Sequence, residues 1–243
     1  MKVIFVNVNK GDCILILSDQ FACMIDTGDI SEFEKVYRII KKHGIEKLNA
    51  LILTHPHLDH TGSYELLTEK LEIHSVYMPR CMVSKKNNNQ FIFIEAGNEL
   101  FIEESFSMVA LAPYSKRYRD LNDYSIVMKL RYKNVSFLFA GDATTLSEEE
   151  ILSNGYDLKC DVLKVGHHGK DDSSSLNFLQ AARPKYSVIT TNDLENVGAE
   201  VIKRLNYVNS KIYYTGADDD IEFETDGNSI SIHCNNTAKN KFF

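Results

Sequence analysis

The sequence lacks the features of a membrane-spanning, secreted or strongly basic protein. No stretch reaches the ~20 consecutive apolar residues that cross a bilayer. The first residues, Met1-Lys-Val-Ile-Phe5, enter a strand-like pattern directly, without the basic region and cleavage site of a signal peptide. Lysine and arginine total 27 against 34 acidic residues, so the net charge of −7 does not favour a strongly basic groove, although it is compatible with a local cationic patch. These absences predict a cytoplasmic protein that does not bind a membrane.

Paired cysteines and flexible boundary segments are also missing. The five cysteines are an odd number without a Cys-x-x-Cys pair, which favours buried free thiols. No segment rich in proline, glycine and serine divides the 243 residues, and 44% of them are hydrophobic, which is enough for a sizeable core. We therefore expect one domain over residues 1–236, followed by a tail over residues 237–243.

The most informative stretch is an apolar run that ends in three histidines and an aspartate. Residues 50–53 are predicted to form a buried strand, and the loop that follows reads Thr-His-x-His-x-Asp-His. An apolar core cannot take up three imidazoles and a carboxylate without a large desolvation cost, whereas borderline divalent cations prefer these ligands. The spacing lets His55 and His57 hold one ion while Asp59 and His60 reach a second.

Polar side chains also follow other predicted strands. A buried Phe-Leu-Phe-Ala strand ends in Gly-Asp, and Asp142 at its tip is placed to bridge two ions. Another strand runs into His167 and His168, of which one is expected to bind metal or substrate and the other to be structural. Asp26 ends the third strand of the chain, where it either orients a ligand imidazole or caps the next loop. Asp12 is expected to satisfy loop amides.

Hydrophobic periodicity predicts an α/β protein. Residues 2–26 are typical of a three-strand meander, one helix precedes the histidine motif, and another follows it before a strand at residues 73–78. The histidine loop thus lies in a βαβ unit at the carboxyl end of a strand, where open α/β sheets place their chemistry. The second half repeats this layout, which is consistent with two sheets packed face to face and helices outside. Lys85 and Lys86 lie in an irregular excursion, where they either meet an anionic substrate or are only solvated.

These motifs, in this order, resemble the metallo-β-lactamase superfamily and, within it, the soluble domain of ComEC-type competence proteins. Besides the histidine motif, the resemblance rests on Lys10-Gly-Asp-Cys-Ile-Leu-Ile16, Ile25-Asp-Thr-Gly28, Leu121-Asn-Asp-Tyr-Ser125, Phe137 to Asp142 and Leu163-Lys-Val-Gly-His-His-Gly169. It implies an αββα sandwich of two mixed sheets flanked by helices, with one or two divalent ions, Zn²⁺ or Mn²⁺, at one edge of the sheets. ComEC-type proteins are implicated in DNA uptake, and their soluble domain is thought to be a nuclease. We expect no role as the uptake pore, because the sequence contains no membrane channel.

Carried over by motif, the resemblance implies a set of site residues. The implied metal ligands are His55, His57, Asp59, His60, Asp142, His167 and His168, with Asp142 as the bridge and one of the two adjacent histidines completing or bordering the site. The implied catalytic residues are Asp59, His168 and Lys170. Lys170 stands where relatives have the serine of His-His-Gly-Ser, and it would place a cation where a phosphate lies.

Two further departures from the family pattern concern ligands. Residues 192–198 stand where relatives carry a late histidine, and Asn196 is the candidate substitute. His74 is the only histidine between the first motif and Asp142, and its place on a predicted strand, early in the interval, argues against a ligand role. The second ion is therefore expected to be weakly held or to rely on a substituted ligand.

The ligand set predicts a metal-dependent hydrolase. Coordination lowers the pKa of water from ~15.7 toward ~7, and two ions ~3.5–4 Å apart stabilise the attacking and leaving oxygens of a phosphodiester together. We therefore expect a phosphodiesterase or nuclease that uses metal-bound hydroxide and acts on nucleic acid or a small phosphodiester. Two alternatives remain open: a hydrolase of a small ester, thioester, lactone or cyclic nucleotide, and a metal-binding module without a complete second site.

Overall fold

Two large mixed sheets form the centre of the protein. The computed structural model describes residues 1–18, 21–82, 91–103, 106–114 and 117–234. The strands, in chain order, are β1 (Lys2–Phe5), β2 (Ile14–Leu17), β3 (Ala22–Ile25), β4 (Lys47–Leu48), β5 (Ala50–Ile52), β6 (Glu72–Ile73), β7 (Val76–Met78), β8 (Phe91–Phe93), β9 (Glu99–Glu103), β10 (Phe106–Ala112), β11 (Val127–Tyr132), β12 (Val135–Phe139), β13 (Val162–Lys164), β14 (Tyr186–Ile189), β15 (Lys211–Tyr214), β16 (Ile221–Thr225) and β17 (Ile230–His233). The first sheet has the order β17-β16-β1-β2-β3-β5-β7-β8, and the second has the order β15-β14-β13-β12-β11-β10-β9.

Helices cover the outer faces of the two sheets. They are α1 (Phe33–Lys42), α2 (Leu58–Thr61), α3 (Tyr64–Lys70), α4 (Thr145–Ser153), α5 (Leu176–Ala182), α6 (Ala199–Tyr207) and α7 (Thr215–Asp218). In α1 the buried residues recur at helical spacing, as Phe33, Val36, Ile39 and Ile40 show. The helix ends before Gly44, whose positive φ of 67° is typical of a residue just beyond a helix end.

The hydrophobic core lies in three layers. Phe5 and Phe137 belong to the layer between the sheets. Val36 and Leu67 pack beneath the helices on the first sheet, and Phe178 packs beneath those on the second. Each of these side chains is at most 1% exposed, and full burial of a large apolar side chain stabilises a fold by about 1.5–3 kcal/mol. The four layers, helix, sheet, sheet and helix, confirm the fold class expected from the sequence.

The strand pairing places the site. β3 and β5 pair in parallel, and β12, β13 and β14 also pair in parallel. The carboxyl ends of parallel neighbours lie together at one edge of a sheet. At that edge the two sheets are tied to each other, because the N–H of Asn192 donates to the carbonyl of Asn9 at 2.7 Å. Loops that follow distant strands therefore meet in one place.

Some predicted elements differ from the observed ones. The strand expected at residues 73–78 is two short strands, because β6 pairs with β4 in a separate small sheet. β9, an edge strand, was not predicted. Lys85, Lys86 and the tail at residues 237–243 lie outside the described residues. Within the described ranges, no helix combines the length and the apolar character needed to traverse a bilayer.

Candidate metal centre

The predicted site residues converge where the carboxyl ends of the two sheets meet. The loop after β5 carries His55, α2 carries His60, and Asp142 follows β12. Oδ2 of Asp142 is 3.7 Å from Nε2 of His55 and 3.4 Å from Nε2 of His60. Oδ1 of Asp142 is 3.3 Å from Nε2 of His168. Segments far apart in the sequence therefore form one cluster of imidazoles around a carboxylate.

Three groups of three side chains lie in the cluster. The potential ligand atoms of each group lie within 4.8 Å of one another. The two groups that form the candidate ion sites are His55, His57 and Asp142, and Asp59, His60 and His168. In the third group, Asp12, Asp26 and His60, the carboxylates already pair with Lys164 and with Nδ1 of His60. The early motif is divided between the two candidate ion sites in the way the sequence implied, and the binding of ions by these residues stays a prediction.

Buried acceptors hold the Nδ1 atoms of three histidines. The pairs are His60 with Oδ2 of Asp26 at 2.8 Å, His55 with Oγ1 of Thr54 at 3.1 Å, and His168 with the carbonyl of Thr190 at 3.0 Å. These partners favour a proton on Nδ1 in each ring, which leaves the Nε2 lone pairs facing the cluster. Asp26 thus orients an imidazole, which is one of the two roles expected for it.

A divalent cation fits this cluster because the protein groups leave lone pairs without partners. Oδ1 of Asp142 is buried and has no hydrogen-bond partner among the described residues. Nε2 of His60 and Nε2 of His168 face each other at 3.3 Å, and two lone pairs at that distance need a cation or a proton between them. Three imidazole nitrogens and a carboxylate are also the donor set that borderline divalent ions prefer.

The pKa values of the cluster follow from burial and close charges. Burial and the neighbouring His60 lower the pKa of His55 to about 2. Burial would also lower the pKa of His60, but the carboxylates of Asp142 and Asp26 outweigh it and raise this pKa well above the ordinary histidine value. Burial opposes ionisation of Asp142, yet His168 and His60 hold its pKa well below the usual range. The cluster therefore keeps Asp142 anionic and attracts positive charge.

His167 lies beside the cluster and is engaged by its own neighbours. Its Nε2 atom is 4.0 Å from Oδ2 of Asp142 and accepts from Nζ of Lys170 at 2.9 Å. Its Nδ1 atom lies 2.9 Å from a carboxylate oxygen of Asp172. Burial lowers the pKa of His167, in keeping with a neutral ring. His168, rather than His167, thus belongs to a ligand group, the one with Asp59 and His60, and Lys170 lies at the exposed rim of the site.

A strained turn presents both of these histidines. His167 and His168 have φ values of 46° and 52°, in the left-handed region that non-glycine residues seldom adopt. On the chain that follows, Glu148 of α4 accepts the N–H of Ser174 at 2.5 Å and of Ser175 at 2.8 Å. The helix packed beside the turn therefore fixes the segment that leaves it.

Two charged residues of the site were not expected there. Lys164 on β13 is fully buried, and its Nζ atom lies 2.5 Å from Asp12, 3.6 Å from Asp142 and 2.7 Å from the carbonyl of Gly141. Burial would lower the pKa of Lys164, but the two carboxylates outweigh it and raise this pKa. Asp12, expected to satisfy loop amides, instead pairs with Lys164 and accepts from Oγ1 of Thr190 at 2.6 Å. The missed signal was a lysine inside a strand of otherwise apolar residues.

Two other residues considered as ligands are exposed and bonded to their own neighbours. His74 is exposed, and its N–H donates to the carbonyl of Leu48, which precedes β5 at the opposite end from the site. Asn196 is exposed as well, and its Nδ2 atom donates to Asp193 at 2.5 Å. His74 therefore belongs to none of the ligand groups among the described residues, and Asn196 as the substitute for the missing late histidine stays a prediction.

Comparison with known proteins defines the family. The sequence profile of the metallo-beta-lactamase superfamily matches residues 6–191, more than half of the chain. The chain belongs to the metallo-beta-lactamase superfamily. Among curated relatives, ComE operon protein 3 of Bacillus subtilis is 29% identical over 157 residues, which are 60% of this chain and 20% of that protein. Competence protein ComA of Neisseria gonorrhoeae is 25% identical over 191 residues, which are 76% of this chain and 26% of that protein.

Solved structures share the metallo-beta-lactamase fold. Igni18, a metallo hydrolase of Ignicoccus hospitalis, has a TM-score of 0.60 and 15% identity, with 93% of this chain and 100% of that one covered. A diphosphatase of the PhnP family has a TM-score of 0.55 and 13% identity, with 93% and 98% covered. The chain thus has the metal-dependent hydrolase fold of its superfamily, with candidate clusters for divalent ions. It spans about a fifth to a quarter of the length of the two curated relatives.

Proposed function

We propose that the protein is a metal-dependent phosphodiesterase that cleaves nucleic acid. The observation that carries the proposal is the convergence of three imidazole Nε2 atoms on Asp142 from both sheets. The superfamily supports hydrolysis as the reaction class. The names of the relatives, a competence protein and a ComE operon protein, support nucleic acid as the substrate.

The two candidate ion sites of the cluster are suited to two ions, Zn²⁺ or Mn²⁺, with Asp142 shared between them. His55 and His57 would hold one ion, and Asp59, His60 and His168 the other. When bound, such ions supply Lewis acidity at the phosphate and a lowered pKa for water. The products of the reaction are a phosphomonoester and an alcohol.

Residues at the mouth of the site have separate tasks in this proposal. The Asp59 side chain is 25% exposed, and its carboxylate lies 3.9 Å from Nε2 of His168 and 3.8 Å from Nζ of Lys10. From that position it can orient the attacking water and accept its proton. Lys170 at the rim can pair with a non-bridging phosphate oxygen. The leaving oxygen takes a proton from solvent, and Asn122, whose buried Oδ1 atom has no partner among the described residues, can then accept a hydrogen bond from the hydroxyl of the alcohol product.

Cleavage by variant proteins, with metal content measured in parallel, tests the proposal. Labelled single-stranded DNA, duplex DNA and RNA are incubated with wild type after reconstitution with Mn²⁺ or Zn²⁺. We expect His57→Ala to lose metal and cleavage together while its circular dichroism stays unchanged. Asp59→Asn should lower kcat by about 10²-fold, the usual contribution of a positioned base. Lys170→Ala should lower kcat/KM by about tenfold, with most of the change in KM.

Two outcomes would contradict the proposal. Fewer than about half an ion per chain after reconstitution would show a binding module rather than a metallohydrolase. Full metal content with turnover of thioesters or lactones, and none of nucleic acid or bis(p-nitrophenyl) phosphate, would assign the site to a small substrate.

A further inference from the structure

A basic groove lies at the other end of the second sheet from the metal centre. It has a volume of about 330 Å³ and is open to solvent at the amino-terminal ends of β12, β13 and β14. We call this depression the basic groove. The cationic residues that line it are Lys129, Arg131, Lys133, Lys159, Arg183 and Lys185. Among the described residues, two carboxylates, Asp157 and Asp161, line the same groove. This concentration of positive charge contrasts with the net charge of −7 of the whole chain.

Both carboxylates of the groove are already paired. Asp157 accepts from Lys129 at 2.9 Å. Asp161 accepts from Lys185 at 2.7 Å and from the N–H of Ser136 at 2.9 Å. The positive charges of Lys129 and Lys185 are thus balanced by these carboxylates, whereas those of the other cations in the groove are not.

Four cations of the groove have no carboxylate partner within the described part of the chain. Lys133 donates to the carbonyl of Asp226 at 3.0 Å, and Nε of Arg183 donates to that of Gln180 at 3.1 Å. Carbonyls do not neutralise these charges. Like charges gathered in a concave surface repel one another, which destabilises the fold. A bound anion would offset this repulsion.

The cations follow the direction of a strand. Lys129 and Arg131 occupy alternate positions, so they lie on one face of β11, roughly 7 Å apart, and Lys133 lies in the turn that follows the strand. Successive phosphates of a nucleic acid also form a regular row of negative charges, and a row of cations can contact several of them at once. β12 starts beside the groove and leads to Asp142, so the groove and the metal centre lie roughly 20 Å apart along that strand.

We propose that the basic groove binds the phosphate backbone of a nucleic acid at a surface separate from the metal centre. The groove holds the polyanion without reading its sequence, because none of the described residues that line it has an aromatic side chain for base stacking. A recessed row of cations without an exposed apolar side chain fits a backbone strand better than a flat lipid surface. The proposal does not depend on cleavage at the metal centre.

Binding measured without cleavage tests the groove directly. Fluorescence anisotropy with a labelled single-stranded oligonucleotide is recorded in EDTA at several sodium chloride concentrations. The test variant is Arg131→Gln/Lys159→Gln, two exposed residues whose loss should leave the fold intact. The matched control is Lys47→Gln/Lys70→Gln, which removes the same charge from exposed positions at the first sheet and α3.

We expect the groove variant to bind about tenfold more weakly and the control variant to change less than twofold. The slope of log K against log salt should fall by about 1.4 in the groove variant alone, since each phosphate contact contributes ~0.7 for single strands. Turnover of bis(p-nitrophenyl) phosphate with metal should stay unchanged in both variants. Unchanged turnover of this small substrate would show that the groove acts in binding and not in catalysis at the metal centre.

Three results would overturn the proposal. Equal weakening in both variants would show that only net charge matters. The absence of measurable oligonucleotide binding by wild type at low salt would show that nucleic acid is not the ligand of the groove. Loss of co-sedimentation with phosphatidylserine vesicles in the groove variant, with unchanged oligonucleotide binding, would assign the surface to a lipid headgroup layer.

Discussion

The buried lysine determines the charge balance of the metal centre. Nζ of Lys164 lies between Asp12 and Asp142 at 2.5 and 3.6 Å, in a place closed to water. A buried carboxylate without a cation is strongly destabilising. The positive charge of Lys164 therefore lowers the free-energy cost of burying the two carboxylates when the site holds no ion.

Lys164→Met should make stability depend on metal. In EDTA we expect the free energy of unfolding to fall by about 3 kcal/mol, since breaking a buried ion pair costs about 3–5 kcal/mol. Zn²⁺ or Mn²⁺ should restore most of the loss, because a divalent ion supplies the missing positive charge. Urea unfolding in EDTA and in excess metal measures both values. The pair of exposed Lys185 with partly buried Asp161 provides the control, and Lys185→Met should change stability by less than about 1 kcal/mol in either condition. Equal losses of Lys164→Met with and without metal would show a packing role only.

Single residues of the site differ in how well the sequence could predict them. His55, His60 and Asp142 were predictable because strand ends and polar motifs coincide there. Lys164 was not, because its strand is apolar and a lone lysine suggests an exposed edge. In a parallel strand buried on both faces, however, a charged residue must find a partner inside. His167 and His168 could not be assigned individually, since the left-handed turn that separates their roles has no simple sequence signal.

At the level of elements, Gly11 allows the loop between β1 and β2 to pack closely against the segment that carries the histidine motif. Gly11 has a φ of 115°, and a Cβ atom there would lie 2.0 Å from the carbonyl oxygen of Asp59. The N–H of Asp12 donates to that same carbonyl at 3.3 Å. The loop between β1 and β2 thus supports the backbone that carries the second group of ligands.

Gly11→Ala should weaken metal binding more than it weakens the fold. The new methyl group must push the Asp59 backbone away, and we expect at least a tenfold loss of affinity for Zn²⁺, measured by competition with a chromogenic chelator. Gly44→Ala is the matched control, because Gly44 also has a positive φ but no atom lies within 4 Å of the added Cβ. It should cost about 1 kcal/mol of stability and leave metal affinity unchanged. Equal metal affinities of the two variants would disprove the support role of Gly11.

Glu148 gives α4 a pH-dependent contribution to stability. Burial raises the pKa of this carboxyl group to about 7, although hydrogen bonds from Ser175 and Ser174 lower it. Between the ordinary value of 4.5 and about 7 the folded protein keeps a proton that the unfolded chain has lost. Stability therefore falls as pH rises through this window and levels off above it.

Urea unfolding of wild type and Glu148→Gln at pH 5 and pH 8, in EDTA, tests this sign. The stability of wild type relative to the variant should fall by about 2.5 kcal/mol between the two pH values, because one pKa unit corresponds to about 1.4 kcal/mol and pH 5 lies slightly inside the titration window. Other titrating groups cancel in the comparison of the two proteins. Parallel pH profiles would show that Glu148 stays ionised in the fold.

Elements were predictable where periodicity and end signals agree, as in α1 and the hairpin of β16 and β17. The short strands β4 and β6 were not, because two-residue strands have no periodicity and depend on partners distant in sequence. The groove cations on β11 alternate with buried residues, a pattern typical of any strand with one solvated face. Only the fold shows that the segments preceding β13 and β14 add further cations, Lys159, Arg183 and Lys185, to the same surface.

At the scale of the whole molecule, the metal centre is a junction between the two sheets. His55, His57, Asp59 and His60 come from the first sheet, whereas Asp142 comes from the second. The two halves also contact each other through Asp12 and Thr190, but a shared ion would add bonds to both. Ion binding should therefore stabilise the halves together.

Hydrogen exchange with and without Zn²⁺ measures this coupling. At about 100 times Kd, binding adds about 2.7 kcal/mol, or roughly 5–10 °C in Tm for a chain of this size. We expect slower exchange at residues 54–62 and 140–170 alike, and little change in β17, which lies at the far edge of the first sheet. Asp142→Asn should remove the metal-dependent protection from both segments, although the substitution lies in only one, because the first group loses its carboxylate and the second loses its shared ligand. Protection confined to residues 54–62 in wild type would show that ions bind the histidine loop without joining the sheets.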